Sequence, residues 1–227
     1  MLDYFDDRHE DRQFIILDNG STYPPMLRLL DELAKEPDLC VVKQKDNHGP
    51  RQIFEEPEVW QNLPDYFYIT DPDLGLNPYM PEDYEDFLWD VLYEYKVFKA
   101  GAALNLIIVE DNILDTPITV AGRKTTPRKI EEEYYKNRLF KPIITDQRDP
   151  TLFDGLIDTT FCLCRKQNIQ YGVLSAVRCD GLYKAEHYGW WVTPPIPKEE
   201  YDFYKEAVKS SQWSSTEATK RGENYVK

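Results

Sequence analysis

Short apolar runs and helical repeats alternate along the N-terminal part of the chain. Phe14–Leu17 (FIIL) is a continuous apolar run of β-type residues. Such a run predicts a strand buried on both faces. It closes on Asp18-Asn19-Gly20-Ser21-Thr22. Pro24-Pro25 follows, then Met26, Leu27, Leu29, Leu30 and Leu33 at helical spacing. Proline suits a helix start, where its missing donor would be unpaired anyway. Leu39–Val42 (LCVV) predicts a second strand. Strand, turn, helix and strand in that order predict a βαβ unit with parallel strands. Asp65–Thr70 (DYFYIT) predicts a third strand, running into Asp71-Pro72-Asp73-Leu74.

Over Glu82–Tyr95, Phe87, Leu88, Val91, Leu92 and Tyr95 share one helical face. Val97–Val109 predicts a strand or two, and Asn112–Pro127 a polar, turn-rich stretch. Arg128–Leu139 reads as a charged surface helix. Ile157–Arg165 and Gln170–Val177 predict late strands. The tail from Glu199 is helical, then turns polar from Ser210 to Lys227 and is expected to fray. No internal repeat is present, and no linker is clean enough to split the chain.

Composition narrows the classes. The chain has 227 residues and is 41% hydrophobic and 30% charged, which is globular composition. Lysine and arginine number 27 against 41 acids, a formal net charge of −14. That field repels nucleic-acid backbones, so no nucleic-acid partner is expected. No run approaches the roughly 18 apolar residues of a membrane span. Met1–Arg12 is charged and has no apolar signal region. The four cysteines, Cys40, Cys162, Cys164 and Cys179, are too scattered for a disulfide scaffold. A reducing, cytoplasmic setting is the expectation.

The strongest chemical signal is Asp71-Pro72-Asp73 after an apolar strand. Residues i and i+2 of an extended segment point the same way, so two carboxylates converge at the sheet edge. Ligands sit at that edge in open α/β sheets. Paired carboxylates suit Mn²⁺ or Mg²⁺, which take oxygen ligands and bridge phosphates. Asp and Pro are also ordinary turn residues. Likewise, Asp18 and Asn19 at a strand end can set a carboxylate and an amide against a nucleotide. The same residues serve equally as a strand-to-helix turn with Ser21 or Thr22 capping the helix.

Together these elements resemble the nucleotide-sugar-dependent glycosyltransferases of the GT-A fold. The resemblance lies in the order of FIILDNGST, VVKQKDNHG and YFYITDPDL, with GLIDTTFCLCRK and YKAEHYGWW later. It covers roughly Phe14 to Trp213 and is similar to small viral or bacterial capsule-type enzymes. The fold it implies is α/β: a single GT-A-like, Rossmann-like domain over 1–227, with a mainly parallel central sheet flanked by helices. On that resemblance the family's first strand is expected to be missing ahead of Phe14.

The resemblance assigns Asp71 and Asp73 to the metal that bridges the donor's pyrophosphate. It sets Asp18 against base or ribose, and Asn47 and Gly49 near the nucleotide. His187 matches a third metal ligand. Alternatively, it packs among Tyr188, Trp190 and Trp191 and is satisfied by backbone. Those aromatics are either core or a platform for a sugar face. Asp158, in the family's acceptor-side segment, and Asp154 are candidate general bases. Arg51 and Lys99 are candidates to neutralise phosphate. Of the other histidines, His48 is expected at the surface and His9 carries no signal. Cys162 and Cys164, facing one side of a strand, have no partner set for zinc.

The implied function is transfer of a sugar from a nucleoside-diphosphate sugar, UDP-sugar favoured, to a hydroxyl of a glycan or other acceptor. A sugar nucleotidyltransferase is opposed by the absence of a Gly-rich basic loop near the N-terminus. The alternative from another class is a degenerate, non-catalytic transferase that binds glycan or protein.

Overall fold

The structure is a computed structural model and describes residues 13–49, 51–139, 151–193, 195–208, 212–223 and 225. The chain forms two compact units, Met1–Asn62 and Leu63–Lys227.

In the first unit, β1 (Phe14–Asp18), α1 (Pro24–Leu33) and β2 (Leu39–Lys43) follow in the expected order. β1 and β2 pair in parallel, from Phe14 opposite Leu39 to Asp18 opposite Lys43. Prolines occupy the first turn of α1. Two short helices, α2 (Gln52–Glu55) and α3 (Pro57–Asn62), close the unit. The expectation that β1 is buried on both faces fails. Among the described residues β1 and β2 make a two-stranded sheet, and Ile15 is 48% exposed.

The second unit begins with β3 (Tyr66–Ile69) and β4 (Leu74–Leu76), then α4 (Tyr84–Tyr95) and β5 (Lys99–Ala102). A hairpin of β6 (Ile118–Val120) and β7 (Arg123–Thr125) precedes α5 (Pro127–Tyr134), β8 (Arg138–Leu139) and β9 (Leu152–Leu156). Then come β10 (Cys162–Arg165), β11 (Ser175–Cys179), β12 (Ala185–His187), α6 (Lys198–Ala207) and α7 (Gln212–Glu223).

The central sheet has the order β3-β10-β5-β11-β9-β8. Among the described residues of this sheet only β5 and β11 run parallel; the other neighbouring pairs are antiparallel. The mainly parallel sheet expected from the chain is therefore corrected to a mixed one. An apolar run reports a strand but not the direction of its partner.

Several boundaries also move. The stretch expected as one strand, Ile157–Arg165, bends at 157–161 and is strand only from Cys162. Gln170–Val177 begins as the end of a 3₁₀ turn, Lys166–Tyr171, and β11 starts later, at Ser175. Beyond β5, Ile107 and Val109 are exposed rather than in a strand. The turn-rich stretch contains the β6–β7 hairpin, whose tip places Ala121 and Gly122 at positive φ, as tight hairpins require. Part of the tail expected to fray is the helix α7. The Tyr204 hydroxyl on α6 donates to Glu217 Oε2 at 2.5 Å, and Arg221 Nε donates to Glu217 Oε1 at 2.7 Å.

Helices cover both faces of the central sheet. α4 buries Leu88, Val91 and Leu92 and packs on β5 and β10. α5 lies on the other face, where Arg178 of β11 pairs with Glu131 and Phe153 of β9 meets the Tyr135 ring. By register, Gly155, Ala176, Arg178, Lys99, Gly101, Cys162 and Cys164 all face α5.

β9 and β10 lie on opposite sides of the β5–β11 pair. Gly155 of β9 is level with Lys99, whereas β10 starts level with Gly101. The segment 157–161 therefore crosses the α5 face diagonally. Small residues beneath it make room. A Cβ on Gly101 would lie 2.4 Å from Cys162 Cβ.

Candidate metal centre

In the first unit, the loops after β1 and β2 are knitted together. Gln44 N donates to Asp18 O at 2.9 Å. The Asn19 amide donates to Gly49 O at 2.9 Å and accepts from His48 N at 2.8 Å. The Asn47 side chain accepts from Gly49 N at 2.8 Å. Asp18 is buried and accepts from Ser21 N at 3.3 Å on each oxygen. Gly20 sits at φ +76, with room for a Cβ only 2.9 Å from Asp46 C, so the close approach of the two loops requires glycine. Asn19, Asn47 and Gly49 thus meet one another, and His48 joins them through its backbone. Arg51 is exposed, just before α2.

In the second unit, β3 ends at Ile69, and the turn Asp71-Pro72-Asp73 leads into β4. β4 pairs antiparallel with β12, setting His187 opposite Leu74. Tyr188 N donates to Asp73 O at 2.8 Å, which locks the two segments together. One ligand atom each from Asp71, Asp73 and His187 lies within 4.8 Å of the others.

His187 Nδ1 is 3.7 Å from Asp73 Oδ2. That nitrogen is buried and has no hydrogen-bond partner. The imidazole stacks on Trp190, with centroids 4.9 Å apart and planes at 12°. It is thus packed among aromatics, as one expectation had it, but backbone does not satisfy it. Gly189 completes the cradle. A Cβ there would lie 2.4 Å from Asp73 Oδ2 and 2.6 Å from His187 Cε1.

Burial pushes the Asp71 carboxyl above the ordinary aspartate value, and the charges of Asp73 and Asp158 push the same way. A hydrogen bond from the Thr159 side chain and the nearby His187 oppose the rise. An acid held up by burial and by other acids is a common signature of a cation or proton site.

Asp158 and Thr159 lie on the crossing segment 157–161, which brings Asp158 within electrostatic reach of Asp71 and Tyr134. Asp154 is exposed in mid-β9, on the side of the strand opposite Gly155. Lys99 is 0% exposed. Its ammonium donates to Ile157 O at 3.0 Å and to Asp158 O. It is an interior support, and no phosphate reaches it from the surface. Cys162 and Cys164 are buried with Sγ atoms 3.8 Å apart, and burial raises the Cys164 thiol well above its usual value.

Sequence reasoning missed Thr159, Gly189, Arg178 and Glu131. Gly189 is legible in retrospect as the one small residue within His187-Tyr188-Gly189-Trp190. Arg178 carries no such signal.

No protein-family model matches the chain, and no curated protein matches it significantly. Among the described residues no helix is long and apolar enough to cross a membrane.

Proposed function

We propose that the protein is a divalent-metal-dependent glycosyltransferase acting on a nucleoside-diphosphate sugar, with UDP-sugar favoured. The observation that carries this reading is the buried, unpartnered His187 Nδ1 facing Asp73 Oδ2 at 3.7 Å beside Asp71. A buried nitrogen without a partner is costly, and a ligand bond removes that cost. Two carboxylates and an imidazole suit Mn²⁺ better than Mg²⁺, which prefers an all-oxygen shell. The sequence resemblance supplies the reaction class.

In this reading Asp71, Asp73 and His187 hold the cation. A cation held there would supply positive charge that stabilises the leaving diphosphate. Asp158 is the general base: its carboxylate accepts the acceptor hydroxyl's proton as the oxygen attacks the anomeric carbon and the bond from that carbon to the diphosphate oxygen breaks. Thr159 orients Asp71 by donating to it. Asp154 takes no part.

The test is release of UDP from a panel of UDP-sugars with Mn²⁺, with and without a glycan acceptor. Release that EDTA and Asp158→Asn each abolish supports the reading. Manganese-dependent UDP binding without turnover supports the degenerate, non-catalytic alternative. Neither binding nor turnover contradicts both.

A further inference from the structure

Burying an ammonium is costly unless its donors are taken up. Lys99 is fully buried, on the face of β5 that the 157–161 segment crosses. Its Nζ holds the carbonyls of Ile157 and Asp158. On the neighbouring strand, Arg178 Nε donates to Leu156 O at 2.8 Å. Arg178 is itself held by Glu131 Oε2 at 2.5 Å, with its guanidinium 4.3 Å from the Tyr134 ring centroid. Three successive carbonyls, those of Leu156, Ile157 and Asp158, therefore accept from two buried cations. The next residue, Thr159, donates to Asp71.

This arrangement solves a topological difficulty. A segment crossing a sheet face cannot use the ladder to satisfy its backbone, and buried carbonyls need partners. Lysine on the strand beneath provides them. A lysine whose task was phosphate contact would leave its ammonium accessible, and this one has no accessible surface.

We propose that Lys99 is a positioning residue for the Asp71–Asp73–His187 cluster. By holding the Ile157 and Asp158 carbonyls it fixes the crossing segment, so that Thr159 meets Asp71 and the Asp158 carboxylate stays within reach of it. The proposal rests on the cation-binding reading of that cluster. Lys99 acts through Asp158 and Thr159.

The test compares Mn²⁺ affinity in the wild-type protein, Lys99→Met, Lys99→Arg and Leu92→Ala. Methionine removes the donors at similar length, and arginine keeps the charge. Leu92→Ala removes a buried side chain from α4, on the opposite face of the sheet, and controls for lost stability. Lys99→Met is expected to weaken Mn²⁺ binding about tenfold or more, as loss of an outer support to metal ligands typically does. Lys99→Arg recovers most of that loss, and Leu92→Ala stays near wild type. Unchanged affinity in Lys99→Met, or an equal loss in Leu92→Ala, overturns the proposal.

Should wild-type protein bind no Mn²⁺, the cluster reading fails and hydrogen exchange judges the clamp. Protection of the Ile157 amide, which donates to Leu174 O, lost in Lys99→Met but kept in Leu92→Ala supports it; protection unchanged overturns it. Should Lys99→Met not fold, Thr159→Val breaks the last link of the same chain. Weaker Mn²⁺ binding in that variant supports the proposal, and unchanged binding overturns it.

Discussion

The loops after β1 and β2 and the cluster after β3 use similar residues: aspartates, a histidine and a glycine without room for a side chain. Their polar groups end differently. In the first, the Asn19 amide is satisfied at both ends by Gly49 O and His48 N, and Asn47 by Gly49 N. In the second, His187 Nδ1 is buried with no partner, and Trp191 Nε1, four residues on, shares that state. Burial, with the charges of Asp73 and Asp158, also holds the Asp71 carboxyl there above its ordinary value. Satisfied polar groups hold a fold together, whereas crowded and unsatisfied ones are retained at a cost for a ligand. The difference separates architecture from site where residue type alone does not.

The largest expected effect comes from Asp73→Ala. It should weaken Mn²⁺ binding about a hundredfold or more, given the outer-support losses of about ten- to a hundredfold, with the far-ultraviolet circular dichroism unchanged. Calorimetric titration measures it. Next is Gly189→Ala, whose methyl would collide with Asp73 Oδ2 and His187 Cε1. A loss of about tenfold in Mn²⁺ affinity is expected from displacing two ligands by a fraction of an ångström. Retained affinity would show that the cradle tolerates a side chain.

Asn19→Ala sharpens the contrast from the other side. It strips partners from Gly49 O and His48 N and should cost about 1–3 kcal/mol of stability in urea unfolding. Mn²⁺ affinity should not move.

The smallest effect is the most diagnostic of stored strain. Because the folded protein holds the Asp71 carboxyl above its ordinary value, folding favours the protonated acid. The stabilising contribution is full below the unfolded aspartate value and is lost as pH rises through the folded one. Asp71→Asn should therefore raise the melting temperature modestly at neutral pH without metal, and the gain should vanish in acid. A gain that persists at low pH would contradict the assignment.

Much of the fold was legible in the chain. The FIIL and LCVV runs around a proline-initiated helix define a parallel βαβ unit, and the apolar spacing of 84–95 defines α4. The mixed order of the central sheet was not legible, because strand direction depends on pairings distant in sequence. The break at 157–161 was hidden too. Its residues Ile157 and Phe161 are as apolar as a strand's, but they are buried in a crossing segment. At the candidate site, Asp71 and Asp73 stood out by spacing after a strand, and His187 by its match to the third metal ligand that the resemblance implies. Lys99 also stood out, for a reason the structure changes. Gly101, two residues on, is small because Phe161 O and Cys162 Cβ leave no room for a side chain there. Arg178 and Glu131, separated by 47 positions, meet only in the folded chain.

The central claim is that His187 ligates a cation through its unpartnered nitrogen. Pulsed electron paramagnetic resonance on the Mn²⁺-loaded protein tests it directly. A nitrogen hyperfine coupling that disappears in His187→Gln is the predicted result. Bound Mn²⁺ with no nitrogen coupling, or a coupling unchanged in His187→Gln, would contradict it.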